Sequence, residues 1–451
     1  MSDLTRRDFI RSAAAAGVGL SIGKAALATA RDVPLPEGWT GVTAGPIDPV
    51  RVGFVGTGRM GTSHVRNLAR IEGCEVRALA DINEANLRRA ARVVTGAGHP
   101  EPDLYTGPED YLRIAERDDI DLIYTATPWE LHVPVCVAAM EGGKHAATEI
   151  PAALTLEECW QLVETSERTN LHCCIMENCC YGRFELMALN MARRGVLGEL
   201  MHAECAYNHD LRRVKLSDDS EGLWRWQYSV SPKAGNNYPM HGLGPVAWYM
   251  NVGRGDYLDY MVSMSGPARG LNAWTREHLP PEDPRRDIDF QAGDVNVSLI
   301  KTAKGRTIYL VHDTNLPRPY TRINMIQGTR GLFSGYPNRV HIEGRSPGHR
   351  WEDVDQDSEY MEEFGHELWS RLGEMASGAG HGGMDFIEDY RLIRALRLGI
   401  PTDLDVYDAA LWSSVIELSS ISLTQRSKAV DFPDFTRGMW RTMAPVDLSM
   451  D

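Results

Sequence analysis

The chain predicts an α/β fold in two parts: an N-terminal domain on an open parallel sheet, and a C-terminal α+β domain on an open, largely antiparallel sheet. Three observations carry this expectation. Short β-rich runs alternate with helical stretches from Val50 to a last strand at Leu171–Met176, and beyond that point the alternation loosens. The length of 451 residues also exceeds a single core of about 100–200 residues.

Residues 1–30 read as a targeting segment. Thr5-Arg6-Arg7-Asp8-Phe9-Ile10 precedes a mildly apolar Ala/Gly run and then Ala26-Leu27-Ala28-Thr29-Ala30, a small-residue cleavage pattern. The combination resembles a twin-arginine export signal, which carries folded proteins, and sets the expectation of a periplasmic or secreted product. An amphipathic N-terminal helix is the alternative. Residues 31–49, rich in Pro and Gly, read as an extended arm.

The first domain is expected over 50–172. Arg51–Val55 reads as a strand, followed by clustered glycines, a helix through His64 to Ile71, and a strand Val76–Ala80. Strand, helix and strand at this length imply parallel pairing through a right-handed crossover. A helix from Glu84, a strand Asp121–Thr125, a helix from Pro134 to Gly142-Gly143, a strand His145–Glu149 and a helix Leu156–Thr169 continue the alternation. The second domain, 173–451, is expected to contain a helix Phe184–Arg194 and strands Met201–Tyr207, Val295–Thr302 and Arg306–Asp313. A long Trp- and Tyr-rich loop is expected from Arg213 to Asn237, and helices from Met361 to Leu423. The acidic run Glu352–Glu363 reads as a solvated helix face.

Composition narrows the function classes. The formal charge of -15 disfavours nucleic acid, whose phosphates demand concentrated Lys and Arg. No stretch after the N-terminus approaches the ~20 apolar residues of a membrane span, so no stable membrane insertion is expected once the signal is removed. The eight cysteines include adjacent pairs, Cys173-Cys174 and Cys179-Cys180. Neighbours on a strand point to opposite faces, so buried thiols are expected rather than disulfides. The absence of paired C-x-x-C units and the scattered histidines predict no metal site.

Gly56-Thr57-Gly58-Arg59-Met60-Gly61 follows the first strand and opens the next helix. In that context the first glycine permits a tight turn, the second lets backbone approach a pyrophosphate, and the third lets helix and strand pack closely. Asp81 ends the second strand 20 residues past Gly61, the place for a carboxylate gripping ribose hydroxyls. Alone the glycines would be a weak signal; the full order predicts a Rossmann site for NAD rather than NADP.

Thr125-Ala126-Thr127-Pro128-Trp129-Glu130-Leu131-His132 and Thr148-Glu149-Ile150-Pro151 resemble the corresponding motifs of the Gfo/Idh/MocA oxidoreductases. Most of that family carries Glu-Lys-Pro in the second motif, with the lysine supporting hydride transfer; here Ile150 replaces it. The stretch from Val50 to Arg441 is similar to the glycoside hydrolase family 109 branch, the NAD-dependent α-N-acetylgalactosaminidases. The strings that carry this are Glu177-Asn178-Cys179-Cys180-Tyr181, Tyr207-Asn208-His209-Asp210-Leu211-Arg212, Asn237-Tyr238-Pro239-Met240-His241-Gly242-Leu243-Gly244-Pro245, Arg318-Pro319-Tyr320 and Gly380-His381-Gly382-Gly383-Met384-Asp385. Related oxidoreductases commonly carry Asp and His four residues apart; His241 and Pro245 occupy those positions here.

The resemblance implies a hydrolase with tightly held NAD that is consumed in no net sense. Oxidation at carbon 3 acidifies the proton on carbon 2, its loss expels the group on carbon 1, water adds, and the ketone is reduced again. The partner implied is a substrate with terminal α-linked N-acetylgalactosamine, and the open sheet face of the family implies self-association. The alternatives are a sugar oxidoreductase with net hydride transfer and a non-catalytic sugar sensor. His241 is the first candidate for proton transfer, since imidazole titrates near working pH, against a structural histidine within a turn. Tyr238 and Tyr181 complete the catalytic candidates. Tyr207, Tyr238, His241 and Tyr320 are substrate-binding candidates, and Arg225, flanked by Trp224 and Trp226, is read equally as a substrate contact or as cation–π packing. For the cofactor the residues are Gly56, Gly58, Arg59, Met60, Gly61 and Asp81, with Trp129, His132, Glu149, Ile150 and Asn178 at the nicotinamide end.

Overall fold

The N-terminal strands are short, and all but the exposed edge strand at Asp103–Tyr105 are largely buried on both faces, as parallel strands require. They are β1 (Val50–Val55), β2 (Cys74–Ala80), β3 (Asp103–Tyr105), β4 (Leu122–Thr125), β5 (His145–Thr148) and β6 (Cys173–Ile175), in a computed structural model that describes residues 35–450 except residue 37. The expected export signal, residues 1–30, lies outside the described residues. All six pair in parallel, in the order β3-β2-β1-β4-β5-β6. The order turns back between β1 and β4, which opens a crevice at their C-terminal ends. Gly56 sits in that crevice at φ +87°, and a Cβ there would lie 2.7 Å from the Ala126 carbonyl beyond β4. One turn later a Cβ on Gly61 would lie 1.9 Å from the Gly56 oxygen, so the helix Arg59–Leu68 can rest on β1 only because Gly61 has no side chain.

The second sheet has nine strands. These are β7 (Leu200–Asn208), β8 (Leu258–Ser265), β9 (Val295–Thr302), β10 (Thr307–Asp313), β11 (Met325–Gly328), β12 (Gly331–Ser334), β13 (Arg339–Ile342), β14 (Glu352–Asp353) and β15 (Val430–Asp431). Their order is β14-β13-β12-β11-β7-β10-β9-β8-β15, and every neighbouring pair is antiparallel except β7 with β10. The interval Arg213–Asn237 is not one open loop: it includes most of a short helix, Arg212–Lys215, and 3-10 turns at Ser220–Leu223 and Arg225–Ser229. The acidic run is not a single helix face either. Glu352 belongs to β14 and accepts the Tyr360 hydroxyl at 2.7 Å, and the helix starts only at Glu359.

C-terminal helices return to the first sheet. Met384–Leu398 packs on Arg59–Leu68, and Val406–Thr424 packs on both the helix Leu156–Thr169 and β8. Asp405 caps Val406–Thr424 through the Tyr407 and Asp408 amides, and buried Arg254 binds Asp405 and Asp408 together. The arm before β1 runs along these helices, with the Trp39 indole donating to the Tyr407 hydroxyl at 2.9 Å and the Ile47 amide to the Leu396 carbonyl at 3.0 Å. The described chain is therefore one compact unit. All eight cysteines are buried and unpaired.

Two buried histidines make the N-terminal sheet acid-sensitive. The His172 amide donates to His145 Nδ1 at 3.0 Å, which requires a lone pair on that nitrogen. Burial depresses both imidazoles, His145 to about 3 and His172 to about 4. Between these values and pH ~6.5 the unfolded chain binds protons that the native fold excludes, so stability present above that range is lost as pH falls through it. The melting temperature should decline from pH ~6.5 to ~5, before most carboxylates titrate, and His172→Phe should flatten that decline. An equal slope in the variant would show that these histidines do not set it.

Candidate active site

The crevice end fits a dinucleotide. The helix Arg59–Leu68 starts without a side-chain cap and without an acid in its first turn, so its amide N–H groups are left to an incoming anion. Nothing lies within 4 Å of where a Gly58 Cβ would be, which leaves room for a pyrophosphate. Arg59 is exposed and Met60 half-buried beside it. At the end of β2, Asp81 is held by the amides of Thr57 and Asn83, each at 2.8 Å. Its carboxylate is thus fixed beside the glycine turn, where ribose hydroxyls need an acceptor and a 2′-phosphate would be repelled.

At the end of β5, Glu149 accepts from His64 Nε2 at 2.9 Å and from the Ile150 amide at 3.1 Å. His64 Nδ1 lies 2.9 Å from Asp389, which also accepts from Asn67. Burial would depress the His64 imidazole, but Asp389 and Glu149 outweigh it and hold it well above the usual histidine range. Burial would likewise raise Glu149; the His64 bond overcomes this and keeps it below the ordinary carboxylate range. The Ile150 side chain is buried beside them.

Two residues expected at the nicotinamide end have hydrogen-bond partners within the protein. Both nitrogens of His132 face backbone carbonyls, Pro151 at 2.7 Å and Thr127 at 2.9 Å, so it ties two loops together rather than presenting a free nitrogen. The Asn178 amide donates to Asp385 at 2.6 Å and meets His381 at 3.0 Å. Trp129 is buried against Tyr238, Tyr228 and Trp224, and therefore forms part of the pocket wall.

Opposite the crevice, the helix Met240–Met250 lies across β7. A Cβ on Gly242 would stand 2.6 Å from the Ala206 nitrogen, and one on Gly244 would stand 2.9 Å from Glu177 Cγ. These two contacts bring His241 against Tyr207, with ring centroids 5.0 Å apart, and set His241 Nδ1 2.9 Å from Glu177 Oε1. Tyr238 and Tyr320 edge Tyr207 from other sides. Arg225 packs as a cation–π partner: its guanidinium sits over the Trp129 and Tyr238 rings and pairs with Glu221, while its Nε has no partner among the described residues. Burial pushes the Tyr207 phenol up to about 12, and it raises Tyr238 and Tyr320 further. These phenols stay protonated and act as donors.

Residues 181–442 match the family model described as "Glycosyl hydrolase 109, C-terminal domain", and residues 50–177 match "Oxidoreductase family, NAD-binding Rossmann fold". Family 109 proteins of Shewanella baltica and Shewanella pealeana are 47% and 45% identical, each over 99% of both chains. The chain belongs to glycosyl hydrolase family 109. A levoglucosan dehydrogenase in complex with NADH and L-sorbose shares the fold at TM-score 0.66 and 22% identity, covering 86% of this chain and 100% of that one. An inositol dehydrogenase homolog of Azotobacter vinelandii, complexed with NADH and myo-inositol, does so at TM-score 0.60 and 19% identity, covering 87% and 99%. NAD is the cofactor. Membership supports a glycosidase built on an NAD-binding oxidoreductase fold.

Within this family 109 site one expectation is corrected. Tyr181 is not in the pocket: its hydroxyl donates to Asp403 at 3.0 Å, within the buried Arg391–Asp403 pair, and its ring meets Trp248 edge-on. Glu177, His64 and Asp389 were not among the expected site residues. Glu177 opens a string that was noticed for its pattern, but nothing local marks its carboxylate as the partner of His241.

Glu177, Cys179 and His241 carry ligand atoms within 4.8 Å of one another. Arg322 donates to the Cys179 sulfur at 2.6 Å, so a fixed cation already occupies that side, and the cluster works as a hydrogen-bond network. Tyr181→Phe should keep wild-type turnover while lowering stability by about 1–3 kcal/mol, the range for a buried bond to a charged group. Activity assays and denaturant melts check both halves; loss of turnover at intact stability would return Tyr181 to the site.

Proposed function

We propose that the protein is an exported glycosidase that releases terminal α-linked N-acetylgalactosamine by oxidation, elimination, addition and reduction, with NAD held tightly and not consumed. The observation that carries this reading is the imidazole of His241, set among Tyr207 and Tyr238 with Nδ1 against Glu177, in a chain where Ile150 takes the place of the dehydrogenase lysine.

Bound NAD supplies the acceptor and donor of the carbon 3 hydride. His241 Nε2 takes the proton from carbon 2, and the group on carbon 1 leaves with its bonding pair. The carbon 3 hydroxyl gives its proton to solvent as the hydride leaves and regains one on reduction; water adds at carbon 1, its other proton neutralising the departed oxygen, and the imidazolium, after exchange with solvent, reprotonates carbon 2. The protonated hydroxyls of Tyr207 and Tyr238 donate to sugar oxygens, and Trp129 gives the ring a flat apolar wall. Arg225, with Nε unpartnered, meets the substrate's polar groups. The paired arginines Arg6-Arg7 support export of the folded, cofactor-loaded protein.

A second reading, net sugar oxidation, draws on the well-formed dinucleotide crevice. Purified protein incubated without added cofactor with a chromogenic α-N-acetylgalactosaminide separates the two. The expected result is release in many-fold excess over bound NAD, with solvent deuterium at carbon 2. Stoichiometric NADH without release would select the oxidoreductase. His241→Ala should cut turnover by at least about 100-fold, the scale of general acid–base catalysis, with NAD content unchanged. Retained turnover would remove His241 from its role.

A further inference from the structure

The His241 ring has unequal surroundings. Nδ1 lies 2.9 Å from Glu177 Oε1 and 3.1 Å from Cys179 Sγ, whereas Nε2 has no hydrogen-bond partner among the described residues. The hydrogens near Nδ1 can be assigned in turn. The Glu177 carboxylate has none to give, and its Oε1 also accepts the Cys179 amide at 2.9 Å. The Cys179 sulfur accepts from Arg322 at 2.6 Å, and its thiol hydrogen faces Asn178 Oδ1 at 3.2 Å. Burial keeps that thiol protonated although Arg322 opposes it. The hydrogen that fills the short contact must therefore sit on Nδ1.

We propose that Glu177 is the positioning residue of His241. It holds the imidazole as the Nδ1–H tautomer, turns the Nε2 lone pair to the sugar, and stabilises the ring after Nε2 has taken a proton. This inference rests on the reading of His241 as the proton-transfer group. The fold keeps Glu177 from moving away. It is fully buried just beyond β6, caps the turn Asn178–Tyr181 through the Cys179 amide, and is backed by the helix at Gly244. Its second oxygen is buried without a partner among the described residues, so no competing donor draws the carboxylate off the ring.

Glu177→Gln preserves size but presents an amide N–H where the ring now donates, favouring the wrong tautomer. We expect kcat to fall about 100-fold. The KM should stay within about threefold, because the sugar contacts are intact. NAD content and melting temperature should match wild type. Glu177→Asp, which retains a carboxylate, should recover part of the rate, and it serves as the test if the Gln variant does not fold. The double variant Glu177→Gln/His241→Ala should be no slower than His241→Ala alone, because Glu177 acts only through that ring. Effects that multiply, or a wild-type kcat in Glu177→Gln, would overturn the proposal. If His241→Ala is inactive while Glu177→Gln is normal, this inference alone fails. If His241→Ala turns over normally, the reading of His241 fails and takes this inference with it.

Discussion

The site depends on the approach of one helix to the backbone of a strand and to the side chain of a buried acid. Helix Met240–Met250 touches β7 at Gly242 and the turn after β6 at Gly244, and at neither point is there space for a methyl group. A side chain at Gly242 would collide with the β7 backbone, and one at Gly244 would crowd Glu177 itself. His241 would then leave hydrogen-bond range of Glu177, and the pocket between Tyr207 and Tyr238 would widen. Glycine lowers helix propensity, by about 1 kcal/mol relative to alanine, so two such residues in an 11-residue helix are a local cost. The tertiary contact they permit offsets it.

That contact also explains why the two sheets cannot act separately. Glu177 follows the last strand of the parallel sheet, whereas His241 belongs to a helix on the mixed sheet. The C-terminal helices keep the sheets in fixed relation by packing on both. On the crevice side, Asp389 on one of these helices reaches His64, which in turn holds Glu149. Burying so many acids is costly unless they are paired or neutral. His64 pairs with two of them. Glu388, buried without a partner among the described residues, is pushed well above the carboxylate range by burial and by Asp389, which makes it neutral at working pH. The cluster therefore carries less negative charge than its composition suggests, and Glu149 can remain ionised at the pocket edge.

The parts legible in sequence were those whose determinants are local. Strand, glycine turn, helix, strand and Asp81 fall within about thirty residues, and each glycine has a steric reason that spacing alone conveys. His241 was legible because it lies in an unusual string with two glycines close behind. Its partner was not, because Glu177 is 64 positions away, and Asp389 is 325 positions from His64. Tyr181 shows the same limit in reverse. Its string points to the site, but Asp403, 222 positions on, draws the hydroxyl into the core. The short strands β11 to β14 escaped notice because runs of two to four residues leave too little alternation to distinguish from turns.

Replacing the lysine with Ile150 changes how protons can be handled around the crevice. A lysine there would place a mobile cation with a transferable proton next to Glu149. Buried Ile150 leaves Glu149 locked to His64 and a backbone amide, with a depressed pKa that makes it a poor proton acceptor near neutrality. Tyr207, Tyr238 and Tyr320 hold their protons too firmly to serve as bases, for the opposite electrostatic reason. On the face formed by the helix Met240–Met250, the His241 ring meets Tyr207 and Tyr238 with Nδ1 engaged by Glu177 and with no partner at Nε2 among the described residues. Proton traffic in the proposed reaction thus passes from the β5 side, where a lysine-bearing relative would run it, to the β7 side.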